Sequence, residues 1–466
     1  MGLRQRARLS LLWSILGFVL IIGILVTIHE WGHYQVARWF HIKVLKFSIG
    51  FGKPIWTHQG KETEFQVAMI PLGGYVTFLD ERESPVEEND LARAFNRQSV
   101  YKRFAVVAAG PLINLLFAWL VFSAIYMIGV SAMKPIFDTP LAGSALERAL
   151  PNNDQAWLIL EANQQPVNSW MTIREQLLKA LVNDQSFFSL TLESVDTGQI
   201  KQVDSIALSD LDLNNQKQNW MAILGFQSIA IPIPAQIGSI KEDGPAQRAG
   251  FEKGDTLIKI ADQPIETWQD LITVTQGLAN QTVAVEWIRN QTVYTKKVEF
   301  GSKQASDNTL VGYLGVGVMV DESMMEPYKV KAQYGLVEAI KLGWQKNLDF
   351  IDMSLVMMKK MFFGEVGLEN LSGPVSIAQF SGQALQTGFV SFLMLLGLLS
   401  LSLGILNLLP IPILDGGHLV YYIVEMIKGS PVSEGIMVFG QKIGLLLIIS
   451  LTVLALSNDL IRMTNG

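Results

Sequence analysis

His29 and His33 are four residues apart and enclose Glu30 in the segment His29-Glu30-Trp31-Gly32-His33. On an α-helix, residues four apart share a face, so both imidazoles can bind one metal ion. Zinc in such a site lowers the pKa of a water ligand to about 7, and a neighbouring carboxylate can take its proton. This HExxH pattern predicts a hydrolase that binds Zn²⁺ through His29 and His33 and uses Glu30 as general base. The less specific alternative is a set of ionisable side chains at a helix end that reach the lipid headgroups.

A catalytic zinc has three protein ligands and one open position, and Asp415 is the candidate for the third ligand. It follows a segment that contains Asn407, Pro410 and Pro412, and the two prolines interrupt a helix. Free backbone groups at membrane depth are tolerated only where protein or a cavity receives them. Two alternatives stay open: Asp415 caps the helix that follows it, or His418 is the ligand instead.

These residues adjoin the ends of apolar stretches that carry no charge. Charged residues make up 17% of the 466 residues, against about 25% in soluble domains. The uncharged stretches are Leu9–Ile28, Phe104–Met133, Asn370–Leu414 and Ile443–Asn458. A bilayer-spanning helix needs about 20 apolar residues, so we predict a bundle of four transmembrane helices in the lipid bilayer. A fully soluble or disordered chain is excluded, and the net charge of −6 argues against nucleic acid as a partner.

The loop between the first two spans is rich in Lys and Arg, whereas the segment after the fourth span holds only Arg462. Short loops that are rich in Lys and Arg remain in the cytoplasm. We therefore expect a multi-pass inner-membrane protein with both termini and residues 134–369 in the periplasm and the active site near the cytoplasmic side. The N-terminal stretch is followed by the HExxH motif rather than by a cleavage site, which favours a retained helix over a signal peptide. The chain contains no Cys, which excludes disulfides and thiolate metal sites.

Residues 222–312 alternate short strands and turns with a helix at Trp268–Leu278. The segment from Gly244 to Leu257 resembles bacterial protease-associated PDZ domains, and Leu224, Gly225 and Phe226 stand where those domains carry their peptide-binding loop. PDZ domains bind a peptide by adding a strand to a sheet edge and by capturing the C-terminal carboxylate. The alternative is a spacer that binds nothing.

Residues 134–221 show the same order of strands and helix as residues 222–312, with a diverged sequence. Asn152, Asn153 and Asp154 stand in place of the Gly-Asp turn. They predict a first PDZ-like domain that binds its ligand differently. Residues 313–369 contain an amphipathic helix, which lies either in the membrane interface or against the PDZ-like pair. The predicted division of the chain is 1–33 first span, 34–103 cytoplasmic loop, 104–133 second span, 134–221 and 222–312 tandem α+β PDZ-like domains, 313–369 amphipathic region, 370–414 third span, 415–435 connecting helix, and 436–466 fourth span and tail.

The cytoplasmic loop itself contains two strand-like segments, Lys46–Gly52 and Glu64–Phe78, which predict a membrane-associated β-hairpin. A transmembrane helix must unwind before its peptide bonds can be hydrolysed, and an exposed strand edge can hold the unwound segment extended. Gly73 and Gly74 would allow a close backbone approach to that substrate. An ordinary structural hairpin is the alternative.

Three motifs together resemble the site-2 protease family of intramembrane zinc metalloproteases. They are HExxH in the first span, Gly110-Pro111-Leu112-Ile113-Asn114 in the second, and the segment from Asn407 to Gly416 after the third. The resemblance implies that His29, His33 and Asp415 bind zinc and that Glu30 is the general base. It also implies that substrate is positioned by Asn407, Pro410 and Pro412, with Asn114 assigned to the same group.

The tandem PDZ-like insert narrows the resemblance to a bacterial branch of that family that acts in envelope-stress signalling. It implies a single-span membrane substrate, namely an anti-sigma factor already trimmed outside the membrane, with remnant signal peptides as a second class. The PDZ region would bind a peptide C-terminus and exclude untrimmed substrates. The competing hypotheses are a membrane-tethered PDZ scaffold with a non-catalytic metal site and a metal transporter. The intact Glu30 argues against the scaffold, since a structural site needs no base.

Overall fold

In the part of the chain that the computed structural model describes, four helices are long and apolar enough to cross a membrane, as predicted. The structure describes residues 3–465 apart from 83–84, 152–154, 216–217, 228–231, 305–308 and 320–321. The membrane helices are α1 (Leu3–Trp39), α2 (Val100–Ile128), α11 (Phe389–Leu408) and α13 (Glu434–Asn465). The other helices are α3 (Ala145–Ala149), α4 (Trp170–Val182), α5 (Trp220–Leu224), α6 (Pro245–Ala249), α7 (Trp268–Gln276), α8 (Glu322–Met325), α9 (Leu336–Phe362), α10 (Pro374–Thr387) and α12 (Asp415–Lys428).

Three of the predicted spans have different bounds in the structure. Residues 370–414, predicted as the third span, contain two helices, α10 and α11, and α11 ends at Leu408. Helix α1 continues past the predicted end at His33 to Trp39, so the HExxH motif lies inside the helix. Helix α2 stops at Ile128, and Val130–Met133 forms strand β3, which pairs with β17 (Lys329–Ala332). An uncharged tetrapeptide such as Val130–Met133 cannot be assigned to helix or strand from hydropathy alone, which is why the second span was predicted to reach residue 133.

Helix α2 lies at the centre of the membrane bundle and packs against α1, α9, α11 and α12. Small residues allow these helices to approach closely. A β carbon on Gly17 of α1 would lie 2.6 Å from the backbone of Ser381 in α10, and one on Gly404 of α11 would lie 3.0 Å from Pro111 O of α2. Such contacts stabilise membrane helices through van der Waals packing, since lipid supplies no hydrophobic drive between them.

The predicted hairpin is a more extensive sheet. Strands β1 (Val44–Gln59) and β2 (Glu64–Phe78) are both bent, so that residues 44–49 pair with 74–78 on one side and with 64–67 on the other. Residues 54–59 of β1 pair with 64–68 on the far side. The order of segments is therefore 54–59, 64–70, 44–51 and 74–78, and segment 74–78 is an edge.

The region between α2 and α9 contains two α+β units with the same order of elements. The first has strands β4 (Ile136–Phe137), β5 (Trp157–Ala162), β6 (Gln165–Pro166), β7 (Phe187–Ser194) and β8 (Ile200–Ala207) with α3, α4 and α5. The second has β9 (Ile237–Ile240), β10 (Thr256–Ile260), β11 (Gln263–Pro264), β12 (Thr282–Arg289), β13 (Thr292–Glu299), β14 (Gly301–Gln304), β15 (Leu310–Tyr313) and β16 (Val316–Val318) with α6 and α7.

Each unit has its own buried core, and Trp157 and Trp287 are the largest side chains of the two cores. In the second unit, Asp255 of the Gly-Asp turn is 1% exposed and accepts two bonds of 2.7 Å from Arg289. Loss of Arg289 would leave that carboxylate buried without its cation, at a cost of about 3–5 kcal/mol. The corresponding turn of the first unit, Asn152 to Asp154, lies outside the described residues.

The first unit is attached to the amphipathic helix α9 through ion pairs. Lys346 of α9 lies 2.7 Å from Glu175, and Lys360 lies 2.6 Å from Asp184. The other face of α9 packs against α2, where Asn347 Nδ2 donates to Leu115 O at 2.9 Å. Helix α9 thus contacts both the membrane bundle and the first unit.

Candidate active site

The three predicted metal ligands come from two helices that meet inside the bundle. His29 and His33 lie one turn apart on α1, and Asp415 is the first residue of α12. The N-cap of α12 is Leu414, so Asp415 does not cap that helix. His29 Nε2 lies 3.2 Å and His33 Nε2 lies 3.4 Å from Asp415 Oδ2, and the two nitrogens are 3.3 Å apart.

These separations fit a tetrahedral zinc ion. With bonds of 2.0–2.1 Å and tetrahedral angles, two ligand atoms on zinc are about 3.3 Å apart. Asp415 Oδ2 is buried and, within the described part of the chain, has no donor beyond these two imidazoles. The ligand atoms of His29, His33 and Asp415 form a suitable set for zinc and leave one coordination position for water or substrate.

Asn114 of α2, predicted among the substrate-binding residues, is fully buried and lies against His29. Its Nδ2 lies 3.1 Å from His29 Nδ1, and its backbone oxygen accepts a bond of 2.9 Å from Ser400 Oγ of α11. A hydrogen bond at Nδ1 fixes the imidazole so that Nε2 faces the metal. Asn114 is therefore placed to orient a ligand.

His33 is held in the same way by the backbone of α2. Its Nδ1 lies 2.8 Å from Val106 O, which leaves Nε2 directed at Asp415. Gly110 of α2 faces both imidazoles, and a β carbon there would lie 2.5 Å from His33 Cε1 and 2.9 Å from His29 Cε1. Sequence reasoning noted Gly110 within a motif but gave it no role, because the contact exists only once α1 and α2 are packed.

Glu30 is 8% exposed and lies on the side of α1 that meets the sheet. A β carbon on Gly74 would lie 2.9 Å from Glu30 Cγ and 2.7 Å from Val26 Cγ1. The edge segment 74–78 therefore begins directly beside the predicted base. Gly73, with φ of +138°, lies instead against the ring of Phe51.

The segment between α11 and α12 has no regular structure and lies beside the ligand Asp415. Its Ile413 has φ of +111°, a strained conformation for a β-branched residue. Pro410 is exposed and Pro412 half-buried, and a β carbon on Gly440 of α13 would lie 3.4 Å from Pro412. Asn407, at the last turn of α11, makes no side-chain hydrogen bond within the described residues. His418 lies one turn beyond Asp415 and is outside the cluster of three ligands.

The predicted peptide-binding loop belongs to the other α+β unit. Leu224 and Phe226 are buried in the core of the first unit, and Gly225 O accepts a bond of 3.0 Å from Leu141 N. The ring of Phe226 contacts that of Trp170 at the start of α4, which fills the space between loop and helix. The prediction that these residues form the second unit's loop, and the boundary at 221/222, are wrong.

The loop of the second unit is Leu314, Gly315 and Val316. Gly315 has φ of +81°, as Gly225 has +102°, and Gly315 O accepts a bond of 2.9 Å from Lys241 N. A cavity of about 160 Å³ lies between this loop and helix α7. The repeated Leu-Gly pair in Ile223-Leu224-Gly225-Phe226 and Tyr313-Leu314-Gly315-Val316 was the sequence signal that could have located it.

Membrane helices that enclose a His-His-Asp cluster with an adjacent carboxylate define an intramembrane zinc metalloprotease. The model of Peptidase family M50 matches residues 17–451, and the chain belongs to that family, as its resemblance to site-2 proteases predicted. The relatives named "Regulator of sigma-E protease RseP" from Salmonella typhimurium and Escherichia coli are each 34% identical over 98% of this chain and 100% of their own.

A Vibrio cholerae protein that bears the name of a zinc metalloprotease is 36% identical over 97% of this chain and 100% of its own. Among solved structures, the PDZ domain of an SdrC-like protein from Listeria monocytogenes covers 21% of this chain and 97% of its own, at 15% identity and a TM-score of 0.17. A TM-score of 0.17 is too low to establish a shared fold.

Proposed function

We propose that this protease performs site-2 cleavage of single-span membrane proteins, with His29, His33 and Asp415 as zinc ligands and Glu30 as general base. The observation that carries the proposal is the triangle of ligand atoms at 3.2–3.4 Å with Glu30 buried on the same helix. When bound, zinc lowers the pKa of a water ligand and polarises the scissile carbonyl. Glu30 accepts the proton of the attacking water and delivers it to the leaving amine.

The sheet edge presents the substrate to these residues. Segment 74–78 pairs with residues 44–49 on one side, has no strand partner on the other among the described residues, and lies against Glu30 at Gly74. An unwound substrate segment that adds to this edge lies extended next to the base, and its freed backbone groups find partners in the sheet. Asn407 and the segment with Pro410 and Pro412 border the same space beside Asp415 and contact the substrate from the other side.

The substrate class is a pre-trimmed anti-sigma factor, with remnant signal peptides as a second class. Relatives that bear the name "Regulator of sigma-E protease RseP" support the first class. In this arrangement the protein lies in the inner membrane with the α+β units in the periplasm and the active site near the cytoplasmic side. The Lys/Arg-rich loop between α1 and α2 supports this orientation. The second unit binds a peptide C-terminus at Leu314, Gly315 and Val316.

A reconstituted cleavage assay tests this function. The substrates are one single-span protein with a short periplasmic tail and the same protein with a folded domain fused to that tail. We expect cleavage of the first substrate alone, loss of cleavage with a zinc chelator, and recovery when zinc is restored. Equal cleavage of both substrates would contradict the exclusion of untrimmed proteins, and cleavage that persists after zinc removal would contradict the mechanism.

A further inference from the structure

A cavity of about 510 Å³ lies between the sheet edge, helix α12 and the first turns of α13. Val76, Thr77 and Phe78 form its wall on the sheet side. The opposite wall comes from α12, and the mouth from Glu434 and Gln441 of α13. The assigned metal ligands and the base are not among its lining residues, so it is a separate space.

Two elements lead from the active site into this cavity. The edge segment begins at Gly74 beside Glu30 and ends at Phe78, about 13 Å away at 3.3 Å per residue. Helix α12 begins at Asp415 and reaches Glu425, about 15 Å away at 1.5 Å per residue. The cavity therefore extends from the reacting centre by about four residues of extended peptide.

The edge that borders the cavity is open for pairing. Within the described part of the chain, segment 74–78 has strand partners only in residues 44–49, on its other side. An unpaired strand edge presents a row of backbone donors and acceptors to any extended chain. A peptide that pairs with this edge from Gly74 onward would enter the cavity, because residues 76–78 of the same strand line it.

The charges in the cavity leave one carboxylate available. Asp80 is paired with Arg82, and Glu425 lies 2.6 Å from Arg103 at the start of α2. Glu434, exposed at the mouth, has no cation within ion-pair distance among the described residues. Glu434 is the first residue of α13, where the helix dipole stabilises a negative charge. The cavity and the open strand edge are separate observations that do not depend on this stabilisation.

We propose that this cavity is the subsite for the substrate segment on the cytoplasmic side of the scissile bond, and that Glu434 receives a Lys or Arg side chain of that segment. Arg103 marks the cavity as lying on the Lys/Arg-rich side of the membrane domain. Segments that leave a membrane on this side are themselves enriched in Lys and Arg. The inference rests on the proposed proteolysis and adds a preference for a basic residue about four positions from the cleaved bond.

The first test uses single-span substrates in which one Lys is moved residue by residue along the cytoplasmic flank. We expect the wild-type protein to prefer Lys over Gln by about fivefold in kcat/KM near the fourth position, as for an exposed ion pair. Glu434→Lys should reverse this preference in favour of Glu. Glu88→Lys, the same charge change outside the cavity in the loop between α1 and α2, should keep the wild-type preference.

The second test blocks the cavity. Gln441→Trp should slow cleavage of a substrate with its full cytoplasmic flank and spare a substrate truncated two residues beyond the cleaved bond. Leu446→Trp, at an exposed position further along α13, should leave both rates unchanged.

A Lys preference that Glu434→Lys does not alter, or equal slowing of both substrates by Gln441→Trp, would overturn the subsite while leaving the proteolysis intact. Failure of the wild-type protein to cleave any single-span substrate would overturn the proposed function and the subsite together.

Discussion

Asn114 Nδ2 lies 3.1 Å from His29 Nδ1, in a fully buried contact between α2 and α1. Asn114 Oδ1 has no partner among the described residues, and a turn of the amide by 180° would let it accept the Nδ1–H of His29. That arrangement satisfies both groups and leaves Nε2 for the metal. Since Ser400 of α11 donates to Asn114 O, three membrane helices together set the orientation of one ligand.

Replacement of Asn114 by Leu should weaken zinc binding about 10- to 100-fold, because the imidazole of His29 loses the hydrogen bond that orients it. The measurement is a zinc dissociation constant from competition with a chelator, on the detergent-solubilised full chain. Asn114→Asp, which keeps an acceptor at this position, should bind zinc more tightly than Asn114→Leu. Equal affinities in all three proteins would show that Asn114 does not orient the ligand.

Replacement of Gly110 by Ala should remove zinc binding, because the added methyl group would overlap the imidazoles of His33 and His29. Metal analysis of the purified protein gives the zinc content directly. Gly23→Ala is the matched control, since it adds the same methyl group to a membrane helix where no atom lies within 4 Å. A full zinc content in Gly110→Ala would mean that α1 and α2 can separate without cost to the site.

Replacement of Gly74 by Ala should lower kcat/KM while zinc content stays unchanged. The added methyl group would lie 2.6 Å from Ser48 O and 2.9 Å from Glu30 Cγ, so the sheet edge must move away from the base. A position error of about 1 Å costs about 100-fold in rate. Cleavage and metal content are measured on the same preparation, and unchanged cleavage would exclude the edge from substrate positioning.

Peptide binding should occur at the second α+β unit and not at the first. A photo-crosslinker in place of Ile272, on the α7 side of the groove, should capture a peptide with a free C-terminal carboxylate. The same group at Arg174, the equivalent position on α4, should capture none, because the Phe226 and Trp170 rings occupy that groove. Capture at both positions, or only at Arg174, would contradict this assignment.

The sequence pattern could predict that the two imidazoles lie together because the geometry of one helix is local. Residues four apart on α1 share a face wherever the helix lies, and a single motif was enough to propose His29 and His33 as ligands. The roles of Asn114 and Gly110 could not be derived, since they depend on how α2 packs against α1. Leu224 was assigned to the wrong unit because the chain folds back after α5, which is visible only in long-range contacts such as the bond from Leu141 N to Gly225 O.

The central claim is that Glu30 acts as the base on a zinc site that it does not itself form. The most direct measurement is the cleavage rate of Glu30→Gln in a reconstituted bilayer, with zinc content determined on the same protein. The account predicts about one zinc per chain and a rate lower by about 10²–10⁴-fold, the usual contribution of a general base. Cleavage at the wild-type rate by zinc-loaded Glu30→Gln would contradict it.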